Sequence, residues 1–220
     1  TINFSEPVVI TGATSYVNLT IGAAAKQAIC ATGTATSTTC TYTVTTGDLD
    51  VDGIANASPI VLAGATWQDV PGNNTVLTFT PPDTTSVLVD GTPPTITSIT
   101  PPANNTYVEG DNVDFIVNFD ENVDVVLTPR IAINLASGTV YANYLSGTGS
   151  SALTFRYIVA LNDSDTDGML LVSPLQLNTG TIKDIIGNNT VLTFALPNTT
   201  GLRVDAIYPT ITSVAVPADT

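Results

Sequence analysis

The chain has 220 residues, with 19 acidic side chains against 5 basic ones, no histidine and a formal net charge of −14. Nucleic acid and anionic membrane surfaces are excluded as partners, because both demand clustered Lys and Arg, and without histidine the common nucleophile triads are excluded too. Only 11% of residues are charged while Thr, Asn, Gly, Val and Ile are plentiful, the balance of a β-rich protein kept wet by hydroxyls and amides.

In chain order, Ile2-Asn3-Phe4-Ser5-Glu6-Pro7-Val8 opens a first strand, and Val17, Leu19 and Ile21 alternate in a second. Cys30 and Cys40 flank a Gly/Thr/Ser-rich stretch that reads as a hairpin tip. If they lie on neighbouring strands, a disulfide between them is geometrically reasonable and implies an oxidising compartment; the alternative is two thiols that merely pack. Thr41 to Val44 continues the alternation. Then comes Asp48-Leu49-Asp50-Val51-Asp52-Gly53, followed by the Gly/Asn turn at Pro71-Gly72-Asn73-Asn74 and an exit strand Val87-Leu88-Val89-Asp90.

The whole series then recurs. Asp163-Ser164-Asp165-Thr166-Asp167-Gly168 lies 115 residues after the first acidic loop, and Val117-Asn118-Phe119-Asp120-Glu121-Asn122-Val123 stands at the same offset from Ile2 to Val8. Ile186-Gly187-Asn188-Asn189 repeats the turn, Leu202-Arg203-Val204-Asp205 repeats the exit, and Tyr144 and Phe155 take the places of the two cysteines, where they can pack across strands. Pro94-Thr95-Ile96-Thr97-Ser98-Ile99 reappears as Pro209-Thr210-Ile211-Thr212-Ser213-Val214. No segment has a helical period. The expected organisation is therefore a first unit over 1–92 without its opening strand, a complete unit over 93–206, and, in 207–220, the opening strand of a further repeat or a donor strand for a neighbouring chain. No run of about 18 apolar residues suggests membrane insertion. Starting at Thr1 without a signal peptide, the chain reads as a mature or excised piece.

Alternate carboxylates closed by glycine repel one another unless a cation sits among them, so Asp48, Asp50, Asp52, Asp163, Asp165 and Asp167 are candidate calcium ligands. Against an EF-hand, Pro59 and Pro174 stand where the twelfth-position Glu belongs. The bland alternative is an Asp-rich solvated turn. A second, interdomain ion would draw on Asp90, Asp205, Glu109, Asp111 and Glu121. Sequons at Asn18, Asn56, Asn73, Asn104, Asn162, Asn188 and Asn198 offer N-glycosylation sites. Lys26 and Lys183 are the only lysines and neither recurs at the offset, which argues against an isopeptide bond; the acids recur, whereas an active site is normally single, so no catalysis is expected. Trp67, Tyr16, Tyr42, Tyr141 and Tyr144 either line a sugar-binding face or, as strand aromatics usually do, belong to the core.

The Phe-Ser-Glu-Pro-Val opening, the Asp-x-Asp-x-Asp-Gly loop, the Gly-Asn turn and the Val-Asp exit before Pro-Thr-Ile-Thr-Ser together resemble the bacterial immunoglobulin-like (cadherin-like) repeats of large surface adhesins, S-layer-associated proteins and extracellular fibres. The resemblance covers nearly the whole chain. It implies an all-β chain of tandem immunoglobulin-like β-sandwiches joined end to end, stiffened by calcium and located outside the cell or at its surface. The implied role is a structural module of a filament, adhesin stalk or coat, whose partners are neighbouring repeats or copies of the same chain; the alternative is a carbohydrate-binding or other ligand-binding adhesin module with surface glycans as partners.

Overall fold

The computed structural model describes residues 1–215, which are strand, turn and irregular chain with no helix. Residues 216–220, the end of the expected further strand, lie outside the described residues. The chain divides into two compact units, Thr1–Thr92 and Pro93–Thr220.

The first unit contains β1 (Ile2–Gly12), β2 (Tyr16–Ile21), β3 (Ala24–Cys30), β4 (Gly33–Thr38), β5 (Cys40–Thr41), β6 (Leu49–Asp50), β7 (Ala55–Val61), β8 (Ala65–Asp69) and β9 (Val89–Asp90). They form sheets in the orders β4-β1-β8, β5-β3-β2-β7 and β6-β9. Alternation decides what is buried: Val8 and Ile10 of β1, Ala28 and Cys30 of β3, and Ala65 and Trp67 of β8 turn inward from two different sheets to make one core. That arrangement is compatible with a sandwich.

The second unit contains β10 (Ile96–Thr100), β11 (Asn105–Tyr107), β12 (Asn112–Val126), β13 (Arg130–Leu135), β14 (Gly138–Ser146), β15 (Ser150–Ile158), β16 (Ser164–Asp165), β17 (Leu170–Gln176), β18 (Thr181–Lys183) and β19 (Leu202–Asp205). Its larger sheet runs β10-β12-β15-β14-β13-β17, with β18 on the later part of β12, and its smaller one runs β11-β19-β16. Val113, Phe115, Val117 and Phe119 alternate along β12 and are all buried, as the sequence pattern predicts. They pack in one core with Ile99 of β10, Tyr107 of β11 and Phe155 of β15.

Cys30 and Cys40 face each other across β3 and β5 and form a disulfide. Tyr144 and Phe155 face each other across β14 and β15, with ring centroids 5.9 Å apart. Covalent bond and edge-to-face ring contact thus occupy equivalent cross-strand places. Trp67 is a core residue, 2% exposed, and its indole N–H donates to the Ser15 hydroxyl at 3.0 Å.

Candidate functional site

The acidic loops are built by their own backbone. Asp50 accepts N–H bonds from Gly22 at 2.6 Å and Gly53 at 2.7 Å, while Asp165 accepts them from Ala136 at 3.0 Å and Gly168 at 2.7 Å. Each of these two carboxylates is buried and clamps its loop to the turn between two strands. The motif glycine has its own reason. Gly53 and Gly168 adopt φ of +105° and +115°, and a Cβ would come within 2.4 Å of Thr85 Cα at the first and 2.6 Å of Thr200 Cα at the second. The Gly22 N–H, ahead of the other donors, holds the Asp50 carboxyl below the usual range.

Asp48 and Asp163 hold the start of each loop. Asp48 accepts from the Tyr42 phenol at 2.5 Å and the Thr45 N–H at 2.8 Å; Asp163 accepts from the Tyr157 phenol and from the Ala160 N–H at 2.8 Å. Here the units diverge, because the Lys26 ammonium lies 2.6 Å from Asp48, whereas Val140, opposite Ile133 as Lys26 is opposite Leu19, stands where Lys26 would be in the second unit. Lys26 foremost, then Tyr42, drives the Asp48 carboxyl well below its ordinary value. Burial, then the adjacent Asp163 carboxylate, pushes the Tyr157 phenol up. Asp52 and Asp167 are exposed. Among the described residues neither loop brings three carboxylate oxygens within 4.8 Å of one another. The charge that the sequence reading offers to a cation is thus met by N–H, O–H and ammonium donors in the four inward-facing acids.

The match between the units extends through these loops. The Ile60 and Leu175 N–H groups donate to Leu77 and Leu192, the Thr75 and Thr190 N–H groups to Trp67 and Ile182, and the Gly91 and Ala206 N–H groups to Asp48 and Asp163. The Ser58 and Ser173 hydroxyls accept from Phe79 and Phe194. In each of these pairs donor and acceptor alike are displaced by 115 residues.

A second acidic pair in each unit escapes the motif search. Asp69 and Asp184 precede the Gly-Asn turns and take equivalent bonds, from the Asn73 N–H at 2.7 Å and the Asn188 N–H at 2.7 Å. Within the second unit, Glu121 and the buried Asp184 bring carboxylate oxygens within 4.8 Å of each other, so these acids could hold a hard cation. Glu6 and Asp69, their counterparts, line one cleft of about 330 Å³ in the first unit. At Asp184 burial alone would raise the carboxyl pKa, but the Asn188 amide and the turn N–H groups outweigh it and hold it low. The signal for Asp69 and Asp184 was present in the sequence as acids at the same offset, each three residues before a Gly-Asn-Asn turn, but neither belongs to an alternating run.

Several other acids accept hydrogen bonds from neighbours within their own unit. Asp111 accepts from the Val108 N–H at 2.9 Å and Glu109 from the Tyr208 phenol. Asp111 precedes β12 and Glu121 lies ten residues further along the chain, a span of about 30 Å in a strand, so one ion does not take both. Asp90 and Asp205 cap their own exits by accepting from Thr92 at 2.9 Å and Ile207 at 3.3 Å. Of the sequon residues, Asn18, Asn73, Asn104, Asn162 and Asn198 are exposed; Asn56 and Asn188 are half-buried, and Asn188 donates its amide to Asp184 at 2.7 Å. Tyr16 and Tyr42 are half-buried in the first unit. Tyr141 and Tyr144 line a cleft of about 480 Å³ with Arg156 and Asp163, and the Arg130 guanidinium lies 3.8 Å from the Tyr141 ring centre.

No protein-family model, no curated protein and no solved structure matches the chain.

Proposed function

We propose that this chain is a structural module of an extracellular or cell-surface filament, adhesin stalk or coat, built from tandem immunoglobulin-like sandwiches and without catalytic activity. The observation that carries the reading is the recurrence of the same loop-closing hydrogen bonds in both units at one offset of 115 residues. A repeated framework suits a load-bearing or spacing role, in which each unit does the same work, better than an asymmetric active site does. The disulfide accords with an oxidising, extracellular address. Electron microscopy of the native material is the direct test: filaments, stalks or a coat are expected, and a dispersed monomer would sink the reading.

Calcium is the cation proposed to stiffen the units, with Glu121 and Asp184 as its ligands in the second unit and Glu6 and Asp69 as theirs in the first. Carboxylate pairs on a protein with a net charge of −14 favour a hard divalent ion with oxygen ligands. An ion bound only by the folded state adds about 2.7 kcal/mol when its concentration is about 100 times Kd. The melting temperature is therefore expected to rise with calcium and fall on chelation, and Asp184→Asn is expected to lessen the rise. An identical melt in calcium and in chelator would remove calcium from the proposal.

A second reading, carbohydrate binding, draws on the cleft beside Tyr141 and Tyr144. Saturable binding on a glycan array, lost in Tyr144→Ala, would favour it over the spacer role.

A further inference from the structure

We infer that the cleft between β14 and β15 binds a primary alkylammonium group, the chemistry of a lysine side chain, with the Asp163 carboxylate as its counter-ion. The inference goes beyond the structural-module reading and does not depend on it.

The first unit supplies the template, because there the group is part of the chain. Lys26 of β3 stands opposite Leu19 of β2, and its ammonium lies 2.6 Å from Asp48 Oδ1 and 5.8 Å from the centre of the Tyr42 ring. Asp48 Oδ2 accepts separately, from the Tyr42 phenol at 2.5 Å, the Thr45 N–H at 2.8 Å and the Thr45 hydroxyl at 3.0 Å. One oxygen of the carboxylate thus closes the loop, and the other is given to the ammonium.

The second unit keeps the carboxylate and the phenol but not the lysine. Val140 of β14, opposite Ile133 of β13, takes the place of Lys26, and Ala142 and Tyr144 follow it as Ala28 and Cys30 follow Lys26. Asp163 Oδ2 closes its loop as Asp48 Oδ2 does, accepting from the Tyr157 phenol and from the Ala160 N–H at 2.8 Å. Ala160 has no hydroxyl to match that of Thr45, and among the described residues no donor reaches Asp163 Oδ1.

Strand pairing explains why this place is open. Beyond Asn143 and Arg156 the two strands no longer pair with each other: Tyr141 and Val140 pair with β13, Tyr157 and Ile158 with β12. Val140, Tyr157, Ala160 and Asp163 line the resulting cleft of about 480 Å³. A valine side chain ends well short of a lysine ammonium, so it leaves the carboxylate within reach of a ligand.

The lining selects the ligand class. Tyr141, Leu145 and Ile158, also in the lining, are 36%, 47% and 58% exposed, and an apolar approach to a carboxylate suits an apolar stem with a cationic tip. Tyr157 repeats the Tyr42 ring beside the acid, and aromatic rings attract cations. Arg156, the cation of the lining, is engaged through Nε and Nη2 with both oxygens of Asp114 at 2.7 Å, which matches its charge. A sugar fits less well, because the Arg130 guanidinium, 3.8 Å from the Tyr141 ring centre, already covers one face of that ring.

Titrating n-butylammonium chloride into the full chain tests the inference, read from the backbone amide signals of Ala160 and Asp163. Saturable shifts in the millimolar range are expected, with tetramethylammonium, which brings charge but no N–H donor, at least tenfold weaker. Val140→Lys, which restores the template's lysine, should abolish the shifts. Lys26→Ala should make the Thr45 and Asp48 amides respond to a probe that leaves them still in the unmodified protein. Val140 packs against the core, so if Val140→Lys misfolds, Asp163→Asn decides and should weaken binding at least tenfold. Nα-acetyl-lysine amide separates the sources: tighter binding than butylammonium points to a lysine of another polypeptide, weaker binding to a free amine. The inference is overturned if butylammonium shifts these amides no more than tetramethylammonium does, if a folded Val140→Lys chain or Asp163→Asn binds it undiminished, or if glucose shifts them more strongly.

Discussion

In the second unit Val117 and Phe119 are 0% and 5% exposed, whereas Ile2 and Phe4, which hold the same places in the first unit, are half-buried. Yet the loops of the two units close with the same bonds, donor for donor, from the phenol on Asp48 or Asp163 to the glycine N–H on Asp50 or Asp165. The difference separates two kinds of information. Loop closure is settled by a handful of residues near one another in sequence, so a short motif reproduces it. Core filling depends on strands from all over a unit: Ile99 and Tyr107 join the second core ahead of its long strand, while the first core relies on Trp67, its edge-to-face contact with Phe4 at 5.6 Å, and a disulfide.

The largest expected effect comes from breaking the denser core. Phe155→Ala removes a ring that is 0% exposed and should cost about 3–5 kcal/mol, read as a loss of hydrogen-exchange protection through the second unit. A cost below about 1 kcal/mol would mean that this core is loosely packed after all. Reducing the disulfide probes the other side of the comparison. Its loss should cost the first unit about 2–4 kcal/mol, concentrated in β3 and β5, because the cross-link shortens the unfolded chain's freedom there. Tyr144 and Phe155 hold the corresponding place without a covalent bond, so reductant should leave protection in β14 and β15 unchanged. If β14 and β15 lost protection equally, the equivalence of the two cross-strand pairs would fail.

Substituting the motif glycines tests the shared part. Gly53→Ala and Gly168→Ala both force a Cβ onto a left-handed backbone against a threonine backbone, so each should destabilise its own unit by about 1–3 kcal/mol and by similar amounts. Tolerance of one and not the other would show that the loops are alike only in outline.

Much of the strand content was legible because alternation and turn residues are local signals: Val113 to Phe119 reads as one buried face. The cysteine pair was legible for the same reason, a hairpin tip between two strands. The acidic loops were legible as a motif but not in their chemistry. Asp50 and Asp165 answer to N–H groups of Gly22 and Ala136, some 28 residues away in one case and 29 in the other, and no spacing rule within a hexapeptide contains those partners. Asp69 and Asp184 were missed for the opposite reason: each is a lone acid whose meaning depends on a glutamate brought beside it by the fold of another strand.

The smallest effect concerns a loop contact that the units do not share. Asp48 has a folded-state pKa below its ordinary value, chiefly through Lys26, and Asp50 is lowered through Gly22. A depressed carboxyl pKa contributes stability that is present above its unfolded value, about pH 4, and is lost as the pH falls through the folded one. Acid should therefore weaken the first unit, and Lys26→Met should flatten that loss by removing the ammonium that favours the charged form of Asp48. The second unit, with Val140 at that position, has no such ammonium to lose and should show the same acid limb in both proteins. Hydrogen exchange followed in each unit from about pH 7 downward distinguishes them. If Lys26→Met left the acid limb of the first unit unchanged, the backbone and phenol donors alone would account for the state of Asp48, and the two loops would be electrostatically as well as geometrically equivalent.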